Sequence, residues 1–183
     1  MKDQKVSFVY ILAVFVAVLF TWVVHEFAHW LTYTLQGFDA VMGLNKAGVR
    51  GDVTPNIDQQ VFGAAAGPLI TLLQAVLAYI YLKRKGWNKY IYLFVFIPFY
   101  MRFLAGLMNF IMPNDEGFIS QHLGLGLFTI SIVISAVLFW MVYKTSKRFQ
   151  LKAKFHVLTT LLVMFFSSIV ILVDMFFRIL LIS

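Results

Sequence analysis

Five long apolar runs constrain this chain more than any other feature. They fall at about 6–35, 61–82, 89–112, 118–143 and 155–182 of the 183 residues, and a bilayer-spanning helix needs roughly 20 mainly apolar residues. Inside lipid no water is available to satisfy backbone N–H and C=O groups, so runs of this kind must be helical. The expected fold is therefore an all-α membrane protein, a polytopic bundle of about five transmembrane helices forming one integral membrane domain over residues 1–183. Composition agrees, with 61% hydrophobic, 17% aromatic and only 13% charged residues, far from the balance of an ordinary soluble domain.

The amino end, "MKDQKVSFVYILAVFVAVLF", has the basic start and apolar stretch of a signal peptide. The run continues into "TWVVHEFAHWLTYTL" without a small-residue cleavage site, so a retained span is expected.

Charge sets an expected orientation. Lys2, Lys5, Lys83, Arg84, Lys85, Lys89, Lys144, Lys147, Arg148, Lys152 and Lys154 share one side if five spans alternate, and only Lys46 and Arg50 lie in loops on the other. The positive-inside rule then puts the amino terminus and the second and fourth loops in the cytoplasm of a multi-pass cell-membrane protein. The first loop, the "PNDEG" break and the carboxyl end face outward. A net charge of +7 distributed in this way points to the lipid bilayer as partner and not to nucleic acid. The first loop, "GFDAVMGLNKAGVRGDVTPNIDQQ", carries β-branched residues with Gly48, Gly51 and Pro55, which suits a short β-hairpin at the membrane surface.

The first run holds the chemistry. In "VVHEFAHWLT", His25 and His29 lie one helical turn apart and can offer ring nitrogens to one ion, with Glu26 on the adjacent flank. This is the arrangement in which a helix binds zinc through two histidines and leaves a glutamate to act on water. A carboxylate near the bilayer centre costs roughly 2.5–3.5 kcal/mol on insertion scales, which favours a functional role over a structural hydrogen-bonded cluster.

The chain has no cysteine, so a third ligand must be His, Asp or Glu. Asp115 and Glu116 in "MPNDEGF" are the main candidates, placed in the first turn of the fourth span after a break at Pro113 and Asn114. Helix capping at the water boundary is their plain alternative. His122 stands two turns further on as another ligand or an interfacial histidine. His25 lies about 28 Å along its span from the cytoplasmic start, at the same outer level as the "PNDEG" break.

Three pieces together resemble the site-2 protease family of intramembrane zinc metalloproteases: "HEFAH" in a span, "AAAGPL" opening the next, and "NFIMPNDEG". The resemblance covers roughly the first 125 residues, without a PDZ or other regulatory domain. It implies zinc held by His25 and His29, Glu26 as catalytic base, and an acid before Gly117 as third ligand. Asp115 keeps the family's residue type and Glu116 keeps the adjacency to Gly117; Asp115 is preferred. Ile70 and Thr71 stand where the family often has Asn after Ala-Gly-Pro-Leu.

Other residues carry expectations of their own. Gly63 and Gly67 have small-xxx-small spacing for close helix packing, and Pro68 frees a carbonyl in the preceding turn. Arg102 needs a partner in its span, with Asp174 the candidate, or else serves as an oxyanion or substrate-carbonyl holder. Asp174 and Arg178 are spaced to pair with each other, while Asn109 and Gln74 suit interhelical hydrogen bonds. His156, at a cytoplasmic boundary, is read as ordinary.

The leading functional expectation is hydrolysis of a peptide bond in a membrane-embedded or membrane-adjacent protein or peptide. Glu26 would act as general base and acid in a water-filled cavity among the first, second and fourth spans. An extended substrate would pair with the first-loop hairpin. The rivals are a non-catalytic zinc-binding membrane protein (a transporter, a sensor or a degenerate protease) and a hydrolase of lipid amides or esters.

Overall fold

The computed structural model describes residues 3–182, so Lys2 lies outside the described residues. Among the described residues, five helices are long and apolar enough to cross a membrane, and the chain is a multi-pass membrane protein. They are α1 (Phe8–Leu35), α2 (Ile57–Lys85), α3 (Lys89–Met108), α5 (Thr129–Phe149) and α6 (Ala153–Phe177); the short helix α4 (Asp115–His122) is the sixth. Strands β1 (Ala40–Gly43), β2 (Ala47–Val49) and β3 (Leu180–Ile182) form one small sheet in the order β2-β1-β3.

Helix starts follow from local chemistry. The Ser7 hydroxyl accepts from the Tyr10 N–H at the head of α1. Asn56 and Gln59 form a reciprocal capping box at α2, with Asp58 in the first turn, so both side chains satisfy N–H groups that the helix leaves unpaired. Asn88 caps α3 through the N–H groups of Tyr90 and Ile91.

The span boundaries shift where the backbone turns left-handed. Residues 118–143 are not one helix: α4 stops at His122, Gly124 (φ 68°) and Gly126 (φ 82°) enter the left-handed region, and the spanning helix α5 begins only at Thr129. Helix α5 then runs through the basic "KTSKRF" stretch expected as loop and ends where Gln150 takes φ 54°. The last span ends at Phe177, not 182, because Arg178 turns left-handed (φ 47°). Beyond it β3 pairs antiparallel with β1, Met42 opposite Ile182. The first loop is the expected hairpin, Val41 opposite Gly48.

The bundle is apolar outward. Phe8, Leu12, Val16 and Phe20 project from α1, and Leu69, Leu73 and Leu77 from α2. Tyr10, Val14, Val18, Tyr92, Leu93, Ile97, Leu138 and Val163 form the packed interior. Polar side chains point inward and pair across helices, as they must where lipid offers no partner: Gln74 donates to the Thr21 hydroxyl at 3.0 Å and Asn109 to the Ser131 hydroxyl at 3.0 Å.

Cations gather at one end. Lys89 Nζ donates to the Lys5 carbonyl at 2.9 Å and pairs with Asp3 at 2.8 Å, and the Arg148 guanidinium donates to the Lys83 carbonyl at 3.0 Å. The start of α1, the turn between α2 and α3, and the turn between α5 and α6 therefore meet. The histidine motif lies toward the other end, with the sheet and α4.

Candidate metal centre

Two turns of α1 supply His25, Glu26 and His29, all buried. Helix α2 crosses directly against them at Gly67, where a Cβ would collide with both imidazole rings; at Gly63 a Cβ would strike the Tyr33 ring. Glycine is required here for clearance, which is the physical content of the small-xxx-small spacing. The same approach brings the Gly63 carbonyl within 2.7 Å of His29 Nδ1. A ring N–H donated to this carbonyl leaves Nε2 of His29 with its lone pair facing His25. Pro68 has no N–H for the carbonyl of Ala64, one turn back, and Ala64 lines the cavity in front of the histidines.

Asp115 arrives from the opposite wall. The Asn109 side chain accepts from the Asn114 N–H at 2.8 Å, and Asn114 accepts from the Gly117 N–H at 2.8 Å, capping α4. A Cβ at Gly117 would run into the Asn109 amide. The "N…PNDEG" pattern is thus a self-bonded turn that presents the first residue of α4.

Consecutive helical residues point about 100° apart, and the two acids divide accordingly. Asp115 Oδ2 lies 3.3 Å from His25 Nε2 and 3.4 Å from His29 Nε2, while the two Nε2 atoms are 3.1 Å apart. Glu116, fully buried, turns the other way and accepts from Arg102 at 2.9 Å. The Arg102 guanidinium also lies 3.8 Å from Asp115.

These three ligand atoms fit a divalent cation. Bonds of about 2.0–2.1 Å at a tetrahedral angle put ligand atoms about 3.3–3.4 Å apart, close to the three separations found. Nearby charge points the same way: Asp115 and Glu116 share one buried cation, Arg102, at 3.8 and 2.9 Å, and unbalanced buried charge is strongly unfavourable. Among the described residues, Oε2 of Glu116, Nε of Arg102 and Nδ1 of His25 are buried without hydrogen-bond partners.

A cavity of about 470 Å³ opens onto His25, Glu26 and Asp115. Its walls come from α1, α3, the β1–β2 turn and the segment before α4, with Ala64 from α2 and Ile171 from α6. The third span takes the place expected of the fourth, since residues 109–128 separate the site from α5. A second cavity of about 410 Å³ lies between Asp115, Gln60 and Phe118.

Several expected partners are elsewhere. Arg102 pairs with Glu116, not Asp174; the Asp174 carboxylate accepts from the Leu44 N–H at 3.0 Å and ties the hairpin to α6. Asp174 and Arg178 form no ion pair among the described residues, because Arg178 leaves the helix there. His122 lies 3.9 Å from Asp58, away from the histidine pair. His156 sits between the Tyr92 hydroxyl at 3.3 Å and the Ser146 hydroxyl at 2.7 Å. The Arg102–Glu116 pair was the main feature missed, although an arginine in one span and two adjacent acids before the next were its signal.

No protein-family model matches the chain, and no curated protein or solved structure matches it significantly.

Proposed function

We propose that this protein is an intramembrane zinc metalloendopeptidase of the site-2 protease kind, cutting membrane-embedded or membrane-adjacent protein segments. The observation that carries the reading is the convergence of His25 Nε2, His29 Nε2 and Asp115 Oδ2 at 3.1–3.4 Å beside Glu26 on one cavity wall. His25, His29 and Asp115 would hold the ion. When bound, zinc lowers the pKa of water to about 7 and polarises a carbonyl.

Glu26 carries the proton. Its carboxylate shares the cavity with the ligands and accepts a proton from the attacking water, then gives it to the leaving nitrogen. Asn45, Lys46 and Ala47 line the same cavity, and β2 is an edge strand of the sheet. An unwound substrate would lie along that edge, its peptide groups hydrogen-bonded instead of bare in lipid. The basic end is assigned to the cytoplasm and the site to the outer half of the membrane, on charge bias.

The test is Glu26→Gln in the full chain, reconstituted with a panel of single-span substrates. Zinc stays stoichiometric by metal analysis and cleavage falls by roughly 10²–10⁴-fold. Undiminished cleavage by that variant removes the mechanism, and a native chain that binds zinc but cuts nothing in a broad panel favours a non-catalytic zinc protein.

A further inference from the structure

One broad concavity lies far from the histidines. It is an open cup of about 870 Å³ at the basic end, lined by Lys5, Arg148 and Lys152 together with Asp3, Gln4 and Gln150. A second hollow of about 350 Å³ shares Gln4, Lys5 and Lys152 with it, adds Lys154, and is floored by Val6, Phe155 and Leu158.

The rim is built. The Gln4 side chain donates to the Gln150 carbonyl at 3.2 Å and accepts from the Lys152 N–H at 2.8 Å, so the amino-terminal segment is pinned to the turn between α5 and α6. Arg148 is fixed by its bond to the Lys83 carbonyl. Asp3, the one acid on the rim, is engaged by Lys89 at 2.8 Å. Lys5, Lys152 and Lys154 are exposed at the ends of spanning helices.

We propose that this double hollow binds an anionic phospholipid. Its phosphate sits among Lys5, Arg148, Lys152 and Lys154, and the first methylenes of its chains lie over Val6, Phe155 and Leu158. The ligand chemistry follows from the change of lining, cationic at the water side and apolar toward the bundle's lipid face. A free phosphate would use only the first part, and clustered cations at a membrane boundary attract anionic headgroups.

The test uses the full chain in neutral detergent, titrated with short-chain phosphatidylglycerol, phosphatidylcholine and inorganic phosphate, and read by native mass spectrometry. Phosphatidylglycerol should be retained in preference to phosphatidylcholine, and inorganic phosphate should not displace it. The triple variant K5Q/K152Q/K154Q should weaken phosphatidylglycerol binding by roughly 100-fold, from three surface cations. The variant K83Q/K85Q/K144Q removes the same charge from the same end but lines neither hollow, and should bind as the native chain does. Leu158→Gln should weaken the lipid and leave any phosphate binding unchanged. Equal loss in the two triple variants, equal retention of the two lipids, or displacement by inorganic phosphate overturns the proposal.

Discussion

His25 and His156 are both histidines of spanning helices with buried polar neighbours, yet their surroundings differ. At His156 both ring nitrogens have a partner, Tyr92 on one side and Ser146 on the other. At His25, Nδ1 has none, and Nε2 shares a small space with another imidazole and a carboxylate. A satisfied polar cluster holds helices together. One whose acceptors face each other without enough protons or cations between them is built for something else.

The largest effect that separates the two clusters is loss of metal. Asp115→Ala should abolish stoichiometric zinc in the purified chain, as should His25→Ala, measured by metal analysis after dialysis. Retention of zinc by Asp115→Ala would erase the distinction drawn here.

Next comes the pair behind Asp115. Arg102→Leu leaves Glu116 buried without its cation, and breaking a buried pair in this way costs roughly 3–5 kcal/mol. Replacing both, Arg102→Leu with Glu116→Leu, should recover much of that stability, because apolar residues of similar volume replace buried ion pairs readily. The double variant should still bind zinc about 10–100-fold more weakly, the usual effect of losing groups that orient a ligand. A competition titration against a chelator measures this, and native zinc affinity in the double variant would reduce the pair to a structural one.

A smaller effect is expected at the helix contact. Gly67→Ala places a methyl group against both imidazoles, so α2 must move away and carry the Gly63 carbonyl from His29. Zinc affinity should fall by about 10-fold. Gly106→Ala in α3, where an added Cβ meets only the Ser131 side chain at 3.4 Å, serves as the comparison for a gain in helix propensity alone.

The clusters also differ in how far the sequence discloses them. The spans, the hairpin and the histidine pair were legible because each has a local signal: an apolar run, turn residues between β-branched ones, a spacing of four. The division of labour between Asp115 and Glu116 was not, since it depends on where α4 starts relative to α1 and α3. Gly124 and Gly126 end α4, but in sequence they sit in a stretch apolar enough to pass for a continuing span. Strand β3 was hidden for a related reason: "LLI" after Arg178 extends the apolar run, and only the free edge of β1 makes it a strand. Arg102 and Glu116 lie in different elements, and pairing across elements leaves no periodic trace.

The smallest effect should come from the satisfied cluster. His156→Gln keeps a polar side chain but cannot reach both the Tyr92 and Ser146 hydroxyls as a ring does, so one hydrogen bond is lost. A neutral hydrogen bond contributes about 0.5–1.5 kcal/mol, and an orphaned buried partner adds to the loss. Unfolding in mixed micelles should therefore shift by about 1–2 kcal/mol, with zinc content and cleavage unchanged. A change in zinc affinity would mean that the interior network and the metal centre are coupled along α6 and α1. Tyr10 on α1 donates or accepts at 2.9 Å with Thr159 on α6, and Trp22 of α1 reaches Ser167 of α6 at 3.4 Å. Those bonds are the physical route such coupling would take, so Trp22→Phe, which removes the indole donor one turn below His25, should likewise leave zinc affinity unchanged, and a loss of zinc affinity in both variants would overturn the independence of the two clusters.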